Sequence, residues 1–188
     1  LYRAAIDRMM ALDTTRTFSQ PVDAALVPDY YTVVKKPMDL SRMRQRAERY
    51  EAATRERFFD TEYDYIADCI DSTRSKLDLI ETAITRGVPI ISSMGTGNRL
   101  DPSKFRITDL SKTSGCPLAR VMRKELRNRG ILHQTVVFSP EQPAPTQQLE
   151  APPPGRRSVP ASNPWVPATA GLLMGSKVVR DLIAQKEA

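Results

Sequence analysis

The 188-residue sequence contains little cysteine and little histidine: two cysteines, Cys69 and Cys116, and one histidine, His133. Two thiols and one imidazole provide neither a disulfide framework nor the ligand set of a zinc site. The longest apolar runs, such as residues 88–91, are far too short to cross a bilayer, and the mean hydropathy is −0.40. We therefore expect a soluble, cytoplasmic protein in a reducing compartment, with no membrane-spanning segment.

The net charge of +6 comes from 28 basic and 22 acidic residues. This balance permits an anionic partner such as RNA but does not require one. The sequence opens on Leu1, without an initiator Met or a secretory apolar segment, so we expect a chain that is truncated at its N-terminus.

A change of pattern near residue 60 divides the sequence. Residues 1–60 predict two helices, one over residues 2–12 and one that begins after Pro37 with Asp39 or Ser41 as its N-cap. A long loop rich in Pro, Tyr and Val separates them. Residues 61–188 alternate apolar strands with amphipathic helices, which is typical of a parallel α/β sheet.

The loop of the first part carries a specific motif. Phe18-Ser-Gln-Pro-Val-Asp23 is followed by Pro28-Asp-Tyr-Tyr-Thr-Val-Val-Lys-Lys-Pro-Met-Asp-Leu40. These residues resemble the first helix, long loop and second helix of a bromodomain. The resemblance implies an acetyl-lysine pocket lined by Pro21 and Val22, with Tyr30 holding an ordered water, and an acetylated peptide as partner.

The bromodomain pattern stops near residue 60. The family anchors the acetyl group with an Asn after its third helix and closes the bundle with a fourth helix, and neither is recognisable here. Two interpretations stay open: an acetyl-lysine reader, and a bromodomain-like fragment without binding activity.

The second part predicts four strands, over residues 63–70, 88–93, 105–110 and 135–138, and three helices. The first helix follows Asp71-Ser72-Thr73 with Leu77, Ile80, Ala83 and Ile84 on its inner face, and the second begins at Pro117. Nine of the fifteen prolines lie in residues 140–167, which we expect to be an irregular loop. The last helix, over residues 168–184, has an expected buried set: Leu172, Leu173, Val178, Val179, Leu182 and Ile183.

Asp71 follows the first of these strands. Ligands of open parallel sheets bind beyond the carboxyl ends of the strands, and a carboxylate there can hold Mg²⁺ that accompanies phosphates. The alternative is that Asp71 or Ser72 only caps the helix that follows.

Several motifs of the second part share one resemblance. They are Asp64-Tyr-Ile-Ala-Asp-Cys-Ile-Asp-Ser-Thr73 with Lys76, Gly95-Thr-Gly-Asn-Arg-Leu-Asp-Pro-Ser103, Thr108-Asp-Leu-Ser-Lys-Thr113, Cys116-Pro-Leu-Ala-Arg120 and Val166-Pro-Ala-Thr-Ala-Gly171. Together they resemble the C-terminal half of ThiF-type, ubiquitin-activating-like adenylating enzymes, and most closely the tRNA threonylcarbamoyladenosine dehydratase branch. The implied fold is a partial Rossmann-like ThiF-type sheet with helices, preceded by the helical bromodomain-like segment.

The resemblance implies ATP and Mg²⁺ as cofactors, Asp71 as the magnesium ligand and tRNA as partner, and it leaves a homodimer open. The implied reaction adenylates a carboxylate and then cyclises it. The basic face of the helix after Pro117 is a candidate RNA contact or a solvated outer face. Its residues are Arg120, Arg123, Lys124 and Arg127.

The phosphate-binding pattern of that family is absent from the 188 residues. No Gly-x-Gly-x-x-Gly occurs, and Gly95-Thr-Gly97 has no third glycine. We therefore expect weak or no ATP binding by this chain alone. Cys116 has no His or carboxylate motif beside it, so a structural role is favoured over a nucleophilic one. Three readings result: an incomplete adenylating enzyme, an acetyl-lysine reader, and a chimeric or truncated chain without activity of its own.

Overall fold

The computed structural model describes residues 2–29, 50–145 and 160–187, and it divides the chain into two compact units, Leu1–Tyr50 and Glu51–Ala188. The division falls earlier than the change of pattern near residue 60. The reason is that residues 55–59 are attached to a helix of the second unit by ion pairs. Arg55 Nε donates to Asp78 Oδ2 at 3.1 Å, and Arg86 Nη2 lies 2.7 Å from Glu56 Oε2.

The first unit begins with helix α1, Tyr2–Leu12, as predicted. After it, the Asp13 carboxylate accepts backbone N–H groups from Thr17, Phe18 and Ser19 at 3.1, 2.8 and 2.6 Å. The Ser19 hydroxyl, which also donates to Asp13, and these N–H groups together lower the pKa of the Asp13 carboxyl. The helix predicted after Pro37, with its two candidate N-caps, lies outside the described residues.

The second unit is an α/β sheet with helices, as its alternating pattern predicts. Its elements are a 3₁₀ turn at Ala52–Thr54, α2 Arg55–Phe58, β1 Ile66–Asp68, α3 Thr73–Thr85, β2 Ile90–Ser93, a 3₁₀ turn at Pro102–Lys104, β3 Arg106–Asp109, a 3₁₀ turn at Leu110–Lys112, α4 Pro117–Asn128, β4 Thr135–Phe138 and α5 Trp165–Glu187.

The four strands lie in the order β1-β2-β4-β3. Strands β1, β2 and β4 are parallel, but β3 pairs antiparallel with β4, with Ile107 opposite Val137. The prediction of a parallel sheet is therefore wrong for β3. A parallel strand needs a crossover, usually a helix, and the segment between β2 and β3 contains only the 3₁₀ turn. The chain turns at the edge where β2 ends, and β3 runs back.

Helices cover both faces of the sheet. On one face, α5 packs Val166, Ala170 and Met174 against Ile91 and Val137. On the other face, α3 buries Leu77, Ile80 and Ala83, as predicted. Each fully buried aliphatic side chain of this kind contributes about 1.5–3 kcal/mol.

The predicted buried face of α5 is wrong in part. Leu172, Val179 and Ile183 are 75%, 56% and 52% exposed, and the buried row lies on the opposite side of the helix. Both sides of α5 are apolar, so periodicity alone could not select the side that meets the sheet. Ile84, expected on the inner face of α3, is also mostly solvent-facing at 43% exposure. Among the described residues, no helix, α5 included, has the length and apolarity needed to cross a membrane.

Two glycines with positive φ flank α4. Gly115 has φ 69°, and a Cβ built on it would lie 2.4 Å from the carbonyl oxygen of Pro140. Gly130 has φ 77°, but a Cβ on it would meet nothing within 4 Å. The two positions share the backbone constraint and differ in steric crowding.

We predict that Gly115→Ala destabilises the protein more than Gly130→Ala, as measured by urea unfolding. Gly130→Ala should cost about 1–2 kcal/mol, the penalty of a left-handed conformation for an L-residue. Gly115→Ala should cost about 1–3 kcal/mol more, because the backbone at Pro140 must move. Equal losses would show that the contact between residues 115 and 140 is absent in solution.

Candidate functional site

Three chain segments meet at the carboxyl edge of the sheet. Strands β1, β2 and β4 are parallel, so residues 68–72, 94–101 and 139–144 leave the sheet at the same edge. In open α/β sheets this edge is where ligands bind. Asp71 lies in the first of the three segments.

A buried ion pair fixes the first segment. Lys76 Nζ lies 2.7 Å from Asp68 Oδ2, and the two side chains are fully buried. The second carboxylate oxygen, Asp68 Oδ1, accepts the N–H of Ile70 at 2.9 Å. One carboxylate therefore joins the end of β1, the turn that follows, and the first turns of α3.

Asp71 lies on the exposed side of this turn. The next residue, Ser72, is the N-cap of α3: its Oγ accepts the N–H of Ser75 at 3.4 Å, and its carbonyl accepts the N–H of Lys76 at 2.9 Å. Of the two capping candidates, the hydroxyl of Ser72 makes the cap, and the Asp71 carboxylate is the acidic group at the carboxyl edge. In the described part of the chain, no three His, Cys, Asp or Glu side chains form a metal-holding group.

The donor chemistry of Asp71 fits magnesium. Mg²⁺ is held in many enzymes by one or two carboxylates together with phosphate oxygens and water, not by an all-protein cage. A single exposed carboxylate at this edge suits that mode of binding. It does not suit a structural metal, which needs a complete ligand set.

The turn Gly95-Thr96-Gly97 packs against other segments of the chain. A Cβ on Gly97 would lie 2.6 Å from the Cβ of Pro160, so the glycine is needed for packing against its own chain. A Cβ on Gly95 would make only ordinary contacts, 3.8 Å from Cys116 Sγ.

The second and third segments are bonded to each other. Arg99 is 3% exposed, its Nε donates to the carbonyl of Gly95 at 2.9 Å, and its Nη1 bonds the carbonyl of Glu141. The Glu141 carboxylate accepts the N–H groups of Leu100 and Asp101 at 3.1 and 3.2 Å. These bonds join the loop after β2 to the loop after β4.

Asn98 attaches a further segment to the same edge. Its φ is 58°, its N–H donates to the carbonyl of Ala161 at 2.8 Å, and its Oδ1 accepts the N–H of Ala161 at 2.6 Å. Residues 140–145 and 160–164 of the Pro-rich loop are irregular, as predicted, but residues 165–167 already belong to α5, so the helix begins three residues earlier than predicted.

Sequence patterns did not identify the Asp68–Lys76 pair, Arg99 or Glu141. One signal was present: Lys76 shares a helical face with Ile80 and Ala83, and a lysine on an apolar face requires a buried anion. The partners of Arg99 are backbone carbonyls, which no sequence pattern reveals.

The basic face of α4 divides into two groups. Arg120, Lys124 and Arg127 are exposed and lie at i, i+4 and i+7, so they form one row. Arg123, also predicted to contact RNA, is half-buried, and its Nη1 donates to the carbonyl and hydroxyl oxygens of Thr113 at 2.8 and 2.6 Å. Arg123 therefore stabilises the turn before α4.

The basic row begins near the site. Cys116, the residue before α4, lies beside Gly95 at the carboxyl edge, and α4 runs from there to the start of β4. Cys116 itself is 4% exposed and occupies the N-cap position, which agrees with the structural role favoured from sequence.

Two of the three predicted acetyl-lysine pocket residues lie in the described part of the first unit. Pro21 is exposed and Val22 is half-buried, while Tyr30 lies outside the described residues.

Known proteins resemble this chain in two parts, one toward its N-terminus and one over its sheet. A protein-family model described as Bromodomain matches residues 2–80. The match covers the first unit and continues through β1 into α3, so its last part overlaps the sheet. The predicted bromodomain resemblance is confirmed.

The second unit has the ThiF-like α/β fold. A solved structure of E. coli tRNA N6-threonylcarbamoyladenosine dehydratase in complex with ATP superposes with a TM-score of 0.63 at 26% identity, over 78% of this chain and 63% of that one. A structure of the same enzyme in complex with AMP gives the same values.

The particular proteins that the chain resembles are tRNA threonylcarbamoyladenosine dehydratases, as predicted for residues 61–188. The Bacillus subtilis (strain 168) protein is 40% identical over an alignment of 147 residues, and the match covers 73% of this chain and 58% of the relative. Dehydratase 2 of Saccharomyces cerevisiae is 49% identical over 83 residues, 44% of this chain and 19% of the relative. The chain thus spans less than two thirds of these relatives. The comparisons support this resemblance over the acetyl-lysine alternative.

Proposed function

We propose that the second unit contributes the magnesium-binding aspartate and the C-terminal scaffold of an ATP-dependent tRNA threonylcarbamoyladenosine dehydratase. The observation that carries the proposal is Asp71, exposed at the edge where three parallel strands end, in a unit similar to a dehydratase with bound ATP. In the proposed reaction the threonylcarbamoyl carboxylate attacks the α-phosphorus of ATP and pyrophosphate leaves. An oxygen of the carbamoyl group of the same modification then attacks the activated carbonyl carbon, a proton is lost from the carbamoyl group, and the ring closes as the bond to AMP breaks.

The residues of the edge have separate roles in this proposal. Asp71 holds the magnesium ion, which supplies positive charge beside the phosphates when it is bound. Ser72 caps the N-terminus of α3, the helix that follows Asp71. Arg99 and Glu141 hold the neighbouring loops and keep the edge in one shape.

The 188 residues alone should bind ATP weakly. They contain no Gly-x-Gly-x-x-Gly loop, and the Gly95–Gly97 turn packs against its own chain. We infer that efficient adenylation needs a phosphate-binding half in addition to these residues. Assays of this chain therefore require millimolar ATP.

The RNA-binding part of the proposal rests on Arg120, Lys124 and Arg127. A row of exposed cations that starts near the site is suited to the phosphate backbone of a tRNA whose modified base reaches the edge. Arg123 is left out, because its guanidinium is bonded to Thr113.

We also propose a cytoplasmic location, and a homodimer is compatible with the proposal. Sedimentation of the purified chain at micromolar concentration measures its oligomeric state directly.

Asp71→Asn is the first test. With tRNA that carries threonylcarbamoyladenosine, millimolar ATP and Mg²⁺, the wild-type chain should exchange labelled pyrophosphate into ATP. Asp71→Asn removes the charge that holds the metal and should lower this exchange by about 100-fold or more. Asp60→Asn removes an exposed carboxylate from the same unit and should leave the exchange unchanged.

Two outcomes contradict the proposal. If the pyrophosphate exchange persists in Asp71→Asn, this aspartate does not hold the metal. Exchange that is absent from the wild-type chain at saturating ATP would support the reading of a chain without activity of its own.

The triple variant Arg120→Ala/Lys124→Ala/Arg127→Ala tests the RNA contact. Each phosphate contact contributes about 0.7–0.9 to the slope of log K against log salt concentration. We predict that the triple variant lowers this slope by about 2–3 and weakens binding of all tRNAs alike. The measurement is a tRNA-binding titration at several salt concentrations.

The matched control removes three basic residues elsewhere, Arg8→Ala/Arg57→Ala/Lys112→Ala, so that net charge changes equally. This control should leave the slope within about 1 of the wild-type value. Equal effects of the two triple variants would show that net charge, and not the row on α4, binds RNA.

A further inference from the structure

We propose that the buried pair Asp68–Lys76 is a positioning device that sets the place of Asp71 at the carboxyl edge. The inference rests on the proposed function of Asp71 as a magnesium ligand and adds two residues that do not touch the metal. It assigns a role to the most deeply buried charges of the unit.

The geometry places Asp71 between two anchors. On one side, the N–H of Ile70 donates to Asp68 Oδ1 at 2.9 Å. On the other side, Lys76 Nζ donates to Asp68 Oδ2 at 2.7 Å, and the N–H of Lys76 donates to the carbonyl of Ser72 at 2.9 Å. The turn that carries Asp71 is thus closed by a single carboxylate.

Stability alone does not require charges at these positions. Well-packed apolar residues of similar volume often replace a buried ion pair without loss of stability. An apolar pair would keep α3 against the sheet, but it could not accept the Ile70 N–H, and the turn would lose its anchor. Loss of the acceptor at Asp68 Oδ1 should therefore disturb the position of the turn while α3 stays packed on the sheet.

The chain contains its own probe of the turn. Cys69 lies between Asp68 and Asp71, its residue is exposed, and its Sγ lies 3.8 Å from Met174 Sδ. Contact with Met174 partly covers the thiol, so its reaction in the ordered turn should be slow. The other cysteine, Cys116, is buried.

Two double variants separate loss of the acceptor from loss of the charges. Asp68→Asn/Lys76→Met keeps an oxygen that can accept the Ile70 N–H, and Asp68→Leu/Lys76→Met removes it. Both remove the two charges, so the electrostatic effect on the Cys69 thiol is the same. The Asn variant leaves a buried amide N–H₂ without its partner, so we expect it to unfold at a lower urea concentration than the Leu variant.

The first readout is the rate at which Cys69 reacts with a disulfide reagent such as DTNB under native conditions. We expect the Leu variant to react about tenfold faster than the wild type, and the Asn variant to react within about threefold of it. Ile80→Val, a core change on the same helix, should also stay within about threefold. The second readout is Mn²⁺ affinity in the presence of ATP, measured by electron paramagnetic resonance, which should weaken about tenfold in the Leu variant only.

Equal Cys69 rates in the two double variants, or rates that follow the unfolding midpoints across all variants, would overturn the inference. Where a double variant does not fold, Asp68→Asn/Lys76→Leu and Asp68→Leu/Lys76→Leu supply the same comparison with a different apolar side chain at position 76. A wild-type chain that binds no Mn²⁺ with ATP would refute the proposed role of Asp71, while the Cys69 rates would still decide whether the pair orders the turn.

Discussion

The ion pair between Asp68 and Lys76 is the interaction on which the second unit depends most. It lies at the point where β1 ends and α3 begins, and no part of either side chain reaches solvent. Charges taken out of water are tolerated only when each is paired and hydrogen-bonded, and here the Asp68 carboxylate is bonded through each of its oxygens. The strand, the turn and the helix are therefore held as one piece. The surface pairs of the same unit, such as Arg86–Glu56, contribute little by comparison.

The shape of the carboxyl edge follows from this junction and from the loops beside it. Buried Arg99 and the carboxylate of Glu141 bond the loops after β2 and β4, and Ser72 satisfies the N-terminus of α3. Asp71 lies exposed at the edge that these groups hold together. That combination connects the fold to the proposed metal chemistry: the scaffold is ordered and the ligand is accessible.

Much of the second unit could be predicted from sequence, because its pattern alternates strongly and its family motifs occur in order. The strands, α3 and α4 follow from apolar periodicity, and Asp71 from its place after a strand. The apolar side of α5 that meets the sheet could not be predicted, since both sides are apolar. The direction of β3 depends on a connection without a helix, and the structural role of Arg123 depends on oxygens of Thr113 that are near it only in the folded chain.

The most direct measurement of the central claim is a double-mutant cycle on the ion pair, by urea unfolding of the wild type, Asp68→Asn, Lys76→Met and the double variant. Each single change leaves a buried polar or charged group without its partner and should cost about 3–5 kcal/mol. If the pair joins β1 to α3 as described, the double variant should be more stable than the sum of the single changes predicts, by about 2–3 kcal/mol. Losses that add to within about 0.5 kcal/mol would show that Asp68 and Lys76 act independently, and would contradict the role given to the pair.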